Sequence, residues 1–165
     1  MNKIIHLPVD EDTISQLKIK DKLLLTGTLY TGRDAALPQL INKIKTDKSP
    51  IPLKGSAIMH TAVSNAGISP TSSNKIEIEK SIPYLSEYGV KIHLGKGKLS
   101  DETINQLKLN NSIFAITPPV AALLTDKVES KKVVAFHNEG MEAIFELKVK
   151  ELPCIVAVAN GESIF

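Results

Sequence analysis

Apolar and polar positions alternate along the chain in short β-branched runs and helix-like stretches, without repeats or low-complexity segments. Leu23 to Leu29 reads as a strand preceded by an Asp21-Lys22 turn. Arg33 to Lys45 fits a helix with Ile41 and Ile44 on its apolar face, and Pro38 stands early, where a missing N–H does least harm. Two prolines and a serine make Lys48 to Pro52 a loop, and Ser56 to Thr61 is a second buried-strand candidate. Ser64 to Asn74 is small, polar and turn-forming throughout, and leads into a helix carrying Ile76, Ile78, Ile82 and Leu85. Beyond it the pattern predicts a strand over Val90 to Leu94, a helix from Leu99 to Leu109 and a strand over Ile113 to Ile116. A short helix over Pro119 to Leu124 and a strand over Val133 to Phe136 follow. Two final apolar runs, Ile144 to Val149 and Ile155 to Val158, are split by Pro153. This mixture predicts a layered α/β domain with a mixed sheet.

At 165 residues the chain fits one domain, 1–165, with a core that needs no staples. Aromatic residues make up 4% with no Trp, so Ile, Val, Leu and Ala must fill the interior. A formal charge of +2 is too small to point to nucleic acid or another polyanion, so any anion site must come from local clustering. The single cysteine, Cys154, excludes an internal disulfide and a metal or iron–sulfur cage built from this chain's thiolates alone. It reads as a small buried hydrophobe. No run approaches a membrane span and the N-terminus lacks a signal-length apolar core, so the expected location is cytoplasmic.

Four segments hold groups able to do chemistry. Arg33, just after a strand, can clamp a carboxylate bidentately, with Asp34 beside it to hold the guanidinium or cap a helix; alone, the pair reads more plainly as a surface helix start. Ser69-Pro70-Thr71-Ser72-Ser73-Asn74-Lys75 sets N–H groups, hydroxyls and a lysine at a helix start, an anion site in form, although a bare Thr hydroxyl is a poor base. In Gly95-Lys96-Gly97 the glycines admit close backbone approach and Lys96 adds a point charge, without the spacing of a phosphate loop. In His137 to Ile144, Glu142 is either a general acid or base, or a structural carboxylate at a helix start. His6, His60, His93 and His137 show no metal-ligand spacing, and His60 and His93 read as satisfied polar residues on or near strands.

In order, these segments resemble the C-terminal domain of class I fumarases, which also occurs as the separate β subunit of two-subunit fumarases and L-tartrate dehydratases. Lys20 to Ala36 is similar to the family's opening, which ends in Arg-Asp-Ala-Ala-His. Ser69 to Ile76 is similar to its Thr-Thr-Ser segment, Gly95-Lys96-Gly97 to its Gly-Lys-Gly, and Gly140 to Val149 to its Gly-Met-Glu-Ala-Ile run, with Pro153 following. The resemblance implies a three-layer β/β/α swivelling domain with mixed sheets. It implies a partner: an α-type subunit whose three cysteines hold a [4Fe-4S] cluster, with αβ pairs assembling into an oligomer. This chain alone would bind no cofactor or metal. The activity implied is addition or removal of water on a C4 dicarboxylate. Carried over by position, Arg33, Lys75 and Lys96 would bind substrate carboxylates, Thr71 would stand at the base position, and Asp34 and Ser72 would support them.

The chain departs from the family at several points. Leu37 replaces a His, Lys75 an Arg and Ser72 a Thr, and the segments around His60-Thr61-Ala62-Val63 and Pro118-Pro119 lack the family's glycines. Leu37 and Lys75 motivate an alternative, a diverged paralogue acting on another hydroxy acid. The altered loops motivate a second one, a non-catalytic binding or regulatory domain.

Overall fold

The computed structural model describes residues 2–69, 75–118 and 121–165. The element order is β1 (Asn2–Leu7), α1 (Glu11–Ser15), β2 (Lys22–Thr31), α2 (Leu37–Lys45), β3 (Ala57–Met59), β4 (Ala62–Ser64), β5 (Gly67–Ser69), α3 (Lys75–Glu87), β6 (Ile92–Gly95) and α4 (Asp101–Leu109). Then come β7 (Ile113–Ile116), α5 (Ala121–Asp126), β8 (Val128–Ala135), a 3-10 segment (His137–Glu142), β9 (Ile144–Ala159) and β10 (Glu162–Ser163). Helix starts follow their capping chemistry. Asp10 accepts from the Thr13 N–H at 2.7 Å at the head of α1, and Ser100 from the Thr103 N–H at 3.2 Å at the head of α4.

Strands β1, β2, β3, β6 and β7 run parallel in that order, whereas β9 runs antiparallel to β2, β7, β8 and β10. The parallel strands alternate strictly between two cores. Leu25, Leu29, Met59, Leu94 and Ala115 point toward β9, where Leu147, Leu152 and Val156 meet them. Tyr30 and Ile58 point the other way, against Leu37 and Leu40 of α2 and Ile78 and Leu85 of α3. Phe114 does the same beside Ile82 of α3 and Leu107 of α4. Helices α2, α3 and α4, the parallel strands and the antiparallel strands therefore stack as three layers. The two strand layers are one hydrogen-bonded surface, because β9 pairs with both β2 and β7 and closes the ring β2-β3-β6-β7-β9.

Several elements differ from the sequence reading. The two final apolar runs are one strand, β9, and Pro153 lies inside it opposite Leu24. β8 flanks its first part and β7 its last, so among the described residues only β2 is alongside at Pro153, and a strand tolerates proline there. The small polar stretch after Ala62 contains a hairpin, β4–β5, instead of turn alone. Helix α2 begins at Leu37, and Arg33 to Ala36 is the turn before it, closed by the Leu37 N–H on the Arg33 carbonyl at 2.9 Å. Among the described residues, no helix is long and apolar enough to cross a membrane.

Candidate functional site

Parallel pairing aligns Thr31 with Met59, Met59 with Leu94 and Leu94 with Ala115. The chain leaves all four strands at one edge, the carboxyl end of a parallel sheet, where open α/β folds place their ligands. Arg33 stands two positions past Thr31, Thr61 two past Met59, and Lys96 two past Leu94, so register alone sets them side by side. The ladder continues briefly beyond the strands: the Gly32 N–H donates to the Met59 carbonyl at 3.0 Å and the His60 N–H to the Leu94 carbonyl at 2.8 Å.

Lys75 joins this edge from the head of α3. A Cβ on Gly97 would lie 2.6 Å from its ammonium nitrogen, so the Gly-Lys-Gly loop and the first residue of α3 are in contact. The loop is also held from beneath. A Cβ on Gly95 would lie 2.7 Å from His60 Nδ1 and 3.1 Å from the Phe114 ring, two side chains with no flexible end to yield. Arg33, Lys75 and Lys96 thus share one edge. Thr71 and Ser72 lie outside the described residues.

The sequence reading left Glu142 either as a general acid or base or as a structural carboxylate at a helix start. Its place is different: it ends the 3-10 segment, and its carboxylate takes the Arg33 guanidinium, with Nε donating at 2.9 and 3.1 Å and Nη2 donating as well. Both side chains are largely enclosed, at 13% and 23% exposure. The pairing follows from register. Thr31 of β2 lies opposite Phe145 of β9, and the Phe145 N–H donates to Thr31 Oγ1 at 3.3 Å. Two steps on along β2 and three back along β9 bring Arg33 and Glu142 together. No local pattern announces a contact 109 residues apart.

Leu37, where the family pattern has a His, is 1% exposed and packs against Gly32 within the helix-side core. It supports the Arg33 turn from below, so this departure is a core substitution and does not reshape a carboxylate pocket directly. Cys154 is buried, and burial pushes its thiol up to about 12, which leaves it inert as a nucleophile or ligand.

His60 and His93 are buried with ring centroids 6.3 Å apart, and they are less satisfied than expected. His93 Nε2 pairs with Ser86 Oγ at 2.7 Å, but His60 Nε2 and His93 Nδ1 have no hydrogen-bond partner among the described residues. Burial holds His60 down at about 4, and burial followed by the nearby His60 holds His93 well below its usual 6.5. The unfolded chain takes up both protons near pH 6.5, whereas in the folded chain His60 resists until about 4 and His93 is also held well below its usual value. Between those values the unfolded state binds more protons, so stability falls as pH drops through that window and is flat above it. His60 alone should remove about 3 kcal/mol by the bottom of the window. Urea midpoints at pH 7.5 and pH 5 should differ accordingly, and equal midpoints would show that the imidazoles protonate inside the fold.

Comparison with known proteins fits this arrangement. A family model described as Fumarase C-terminus matches residues 2–165. The L(+)-tartrate dehydratase subunit beta of Escherichia coli (strain K12) is 31% identical over 173 residues, covering 96% of this chain and 83% of that protein. A putative fumarate hydratase class I of Geobacillus stearothermophilus is 28% identical over 180 residues, covering 97% of this chain and 33% of that protein. The anaerobic class I fumarate hydratase of Escherichia coli (strain K12) is 26% identical over 155 residues, 88% of this chain and 28% of that protein. With the family model matching residues 2–165 and a relative 31% identical across 96% of the chain, this chain belongs to the fumarase C-terminus family.

Proposed function

We propose that this chain is the β-type part of a hydro-lyase that adds or removes water on a C4 dicarboxylate, working against an α-type partner. The observation that carries this is the carboxyl edge itself: Arg33 and Lys96 follow aligned strand residues, and Lys75 is packed on the loop that carries Lys96. A fork and two point charges on one edge suit a ligand with two carboxylates. Removing a proton next to a carboxylate builds negative charge on that group, which fixed cations stabilise more in the transition state than in the ground state. Arg33, Lys75 and Lys96 are assigned to the carboxylates. Thr71 is assigned to the base position, Asp34 to the support of Arg33 and Ser72 to a supporting place, all by family resemblance. The relatives named as tartrate dehydratase subunit beta and class I fumarate hydratase support the reaction class.

The residues of this chain do not suit an iron–sulfur cluster. Its one cysteine is buried with a raised pKa, and a cluster takes several thiolates. The [4Fe-4S] cluster of the family is therefore assigned to the three-cysteine partner. Co-expression with such a partner and assay against fumarate, malate and L-tartrate tests the reading. The complex should turn over at least one of them, and this chain alone none. Turnover by this chain without a partner would sink the subunit reading, and a pure complex inert on all three would sink the hydro-lyase reading.

A further inference from the structure

We infer that Glu142 is a positioning residue, which holds the Arg33 guanidinium by its Nε–Nη2 edge and so fixes the direction in which that guanidinium meets a carboxylate ligand. The inference deepens the reading proposed above and rests on it for the ligand class. Two independent observations carry it.

The first is geometric. Arg33 leaves β2 at the carboxyl edge of the parallel strands, and Glu142 reaches it from the segment leading into β9, across the β2–β9 ladder. Both Glu142 oxygens accept from Nε, at 2.9 and 3.1 Å, and one also accepts from Nη2. A carboxylate placed on Nε fixes the last side-chain torsions, because Nε is the donor nearest the stem. A guanidinium anchored there cannot swing away from the edge on which Lys75 and Lys96 stand. The segment is built for this reach: Gly140 takes φ 60 and ψ −122, which turns the chain so that Met141 faces out and Glu142 faces in. With the pair mostly enclosed, the ion pair is less screened than one at the surface.

The second is compositional. Of the 20 lysine and arginine residues in this chain, Arg33 is the only arginine. Everywhere else, including position 75 where the family pattern has Arg, a lysine supplies the cation. A point charge on a flexible stem therefore serves at every other cationic position, and only here is the planar fork used. A fork is distinguished from an ammonium by its capacity to be gripped on one edge while directing the rest of its plane, which is the arrangement Glu142 completes.

A single arginine makes the test direct. In the ¹⁵N-labelled full chain the arginine Nε–H region holds one cross-peak, that of Arg33. It should persist at neutral pH with slow solvent exchange. In Glu142→Gln, which preserves shape and removes the charge, exchange should speed up about tenfold or more, and in Glu142→Ala the peak should be lost to exchange. In complex with the partner, Glu142→Gln should raise KM for the dicarboxylate about tenfold while kcat changes less, since a misdirected Arg33 loses ground-state contact. In an Arg33→Lys background the same substitution should have much less effect, because the role runs through the fork. Unchanged Nε–H exchange in Glu142→Gln would overturn the inference. So would a lowered KM, which would make Glu142 a carboxylate competing for Arg33 instead of one that orients it. If the wild-type complex turns over no dicarboxylate, the hydro-lyase reading fails, and the exchange comparison still decides what Glu142 does to Arg33.

Discussion

Arg33→Lys in the partnered enzyme should lower kcat/KM by about a hundredfold, or roughly 3 kcal/mol, while the chain stays folded. Lysine keeps the charge, so bulk electrostatics at the edge hardly change. What disappears is the planar donor set that Glu142 grips on one side. An ammonium at the same place can satisfy Glu142 or a ligand carboxylate but cannot be oriented by one toward the other. Arg33→Ala should be worse, since it also leaves Glu142 half-buried without this partner, at a further cost on the order of 1 kcal/mol to stability. Steady-state kinetics paired with a thermal melt separates the two effects. A lysine variant within threefold of wild type would remove Arg33 from the site.

The same comparison bears on Lys75. Its lysine, where the family pattern has Arg, suggested an altered pocket. In a chain whose only arginine is Arg33, a lysine there is the general usage. Its ammonium touches Gly97, so it still brings a cation to the Gly-Lys-Gly loop. Leu37, the other departure, is core. Leu37 and Lys75 therefore give a changed substrate less support by their places in the fold than by their identities alone.

What is legible in the sequence is whatever depends on near neighbours. The apolar run from Leu23 was legible as a strand because every second side chain enters the core, and Gly95-Lys96-Gly97 was legible as a loop because glycines flank a charge. β8 was read too short, since Glu129, Lys131 and Lys132 face solvent and give no apolar signal; its strand character comes from pairing with β9. β9 was read as two runs because proline ordinarily ends a strand, and the open flank that excuses Pro153 is a property of the neighbours. The Arg33–Glu142 pair was invisible for the same reason. Each residue was singled out alone, but only the register of β2 on β9 joins them.

Gly27→Ala should destabilise the chain by about 3 kcal/mol and lower the activity of whatever protein remains folded. Gly27 lies at the centre of β2, where that strand pairs with both β1 and β9. Its φ of +126 belongs to a region that side chains avoid, and a Cβ there would lie 2.5 Å from the Leu7 carbonyl oxygen, a backbone atom that cannot swing aside. The position is also where the β2–β9 register shifts. Leu25 faces Leu152 and Gly27 faces Val149, so Lys150 and Glu151 bulge opposite Thr26, with the Glu151 N–H donating to Thr26 Oγ1 at 3.0 Å. Relief of the clash must move either β1 or the upper half of β2. The second route shifts Thr31 against Phe145, and with it the approach of Arg33 to Glu142. The variant therefore tests more than local backbone strain. If the strain is absorbed by β1, the urea midpoint falls and the Arg33 Nε–H exchange is unchanged; if it is absorbed by β2, both move together. An alanine variant as stable as wild type would show that the register of β2, on which the placement of Arg33 depends, is not held at Gly27.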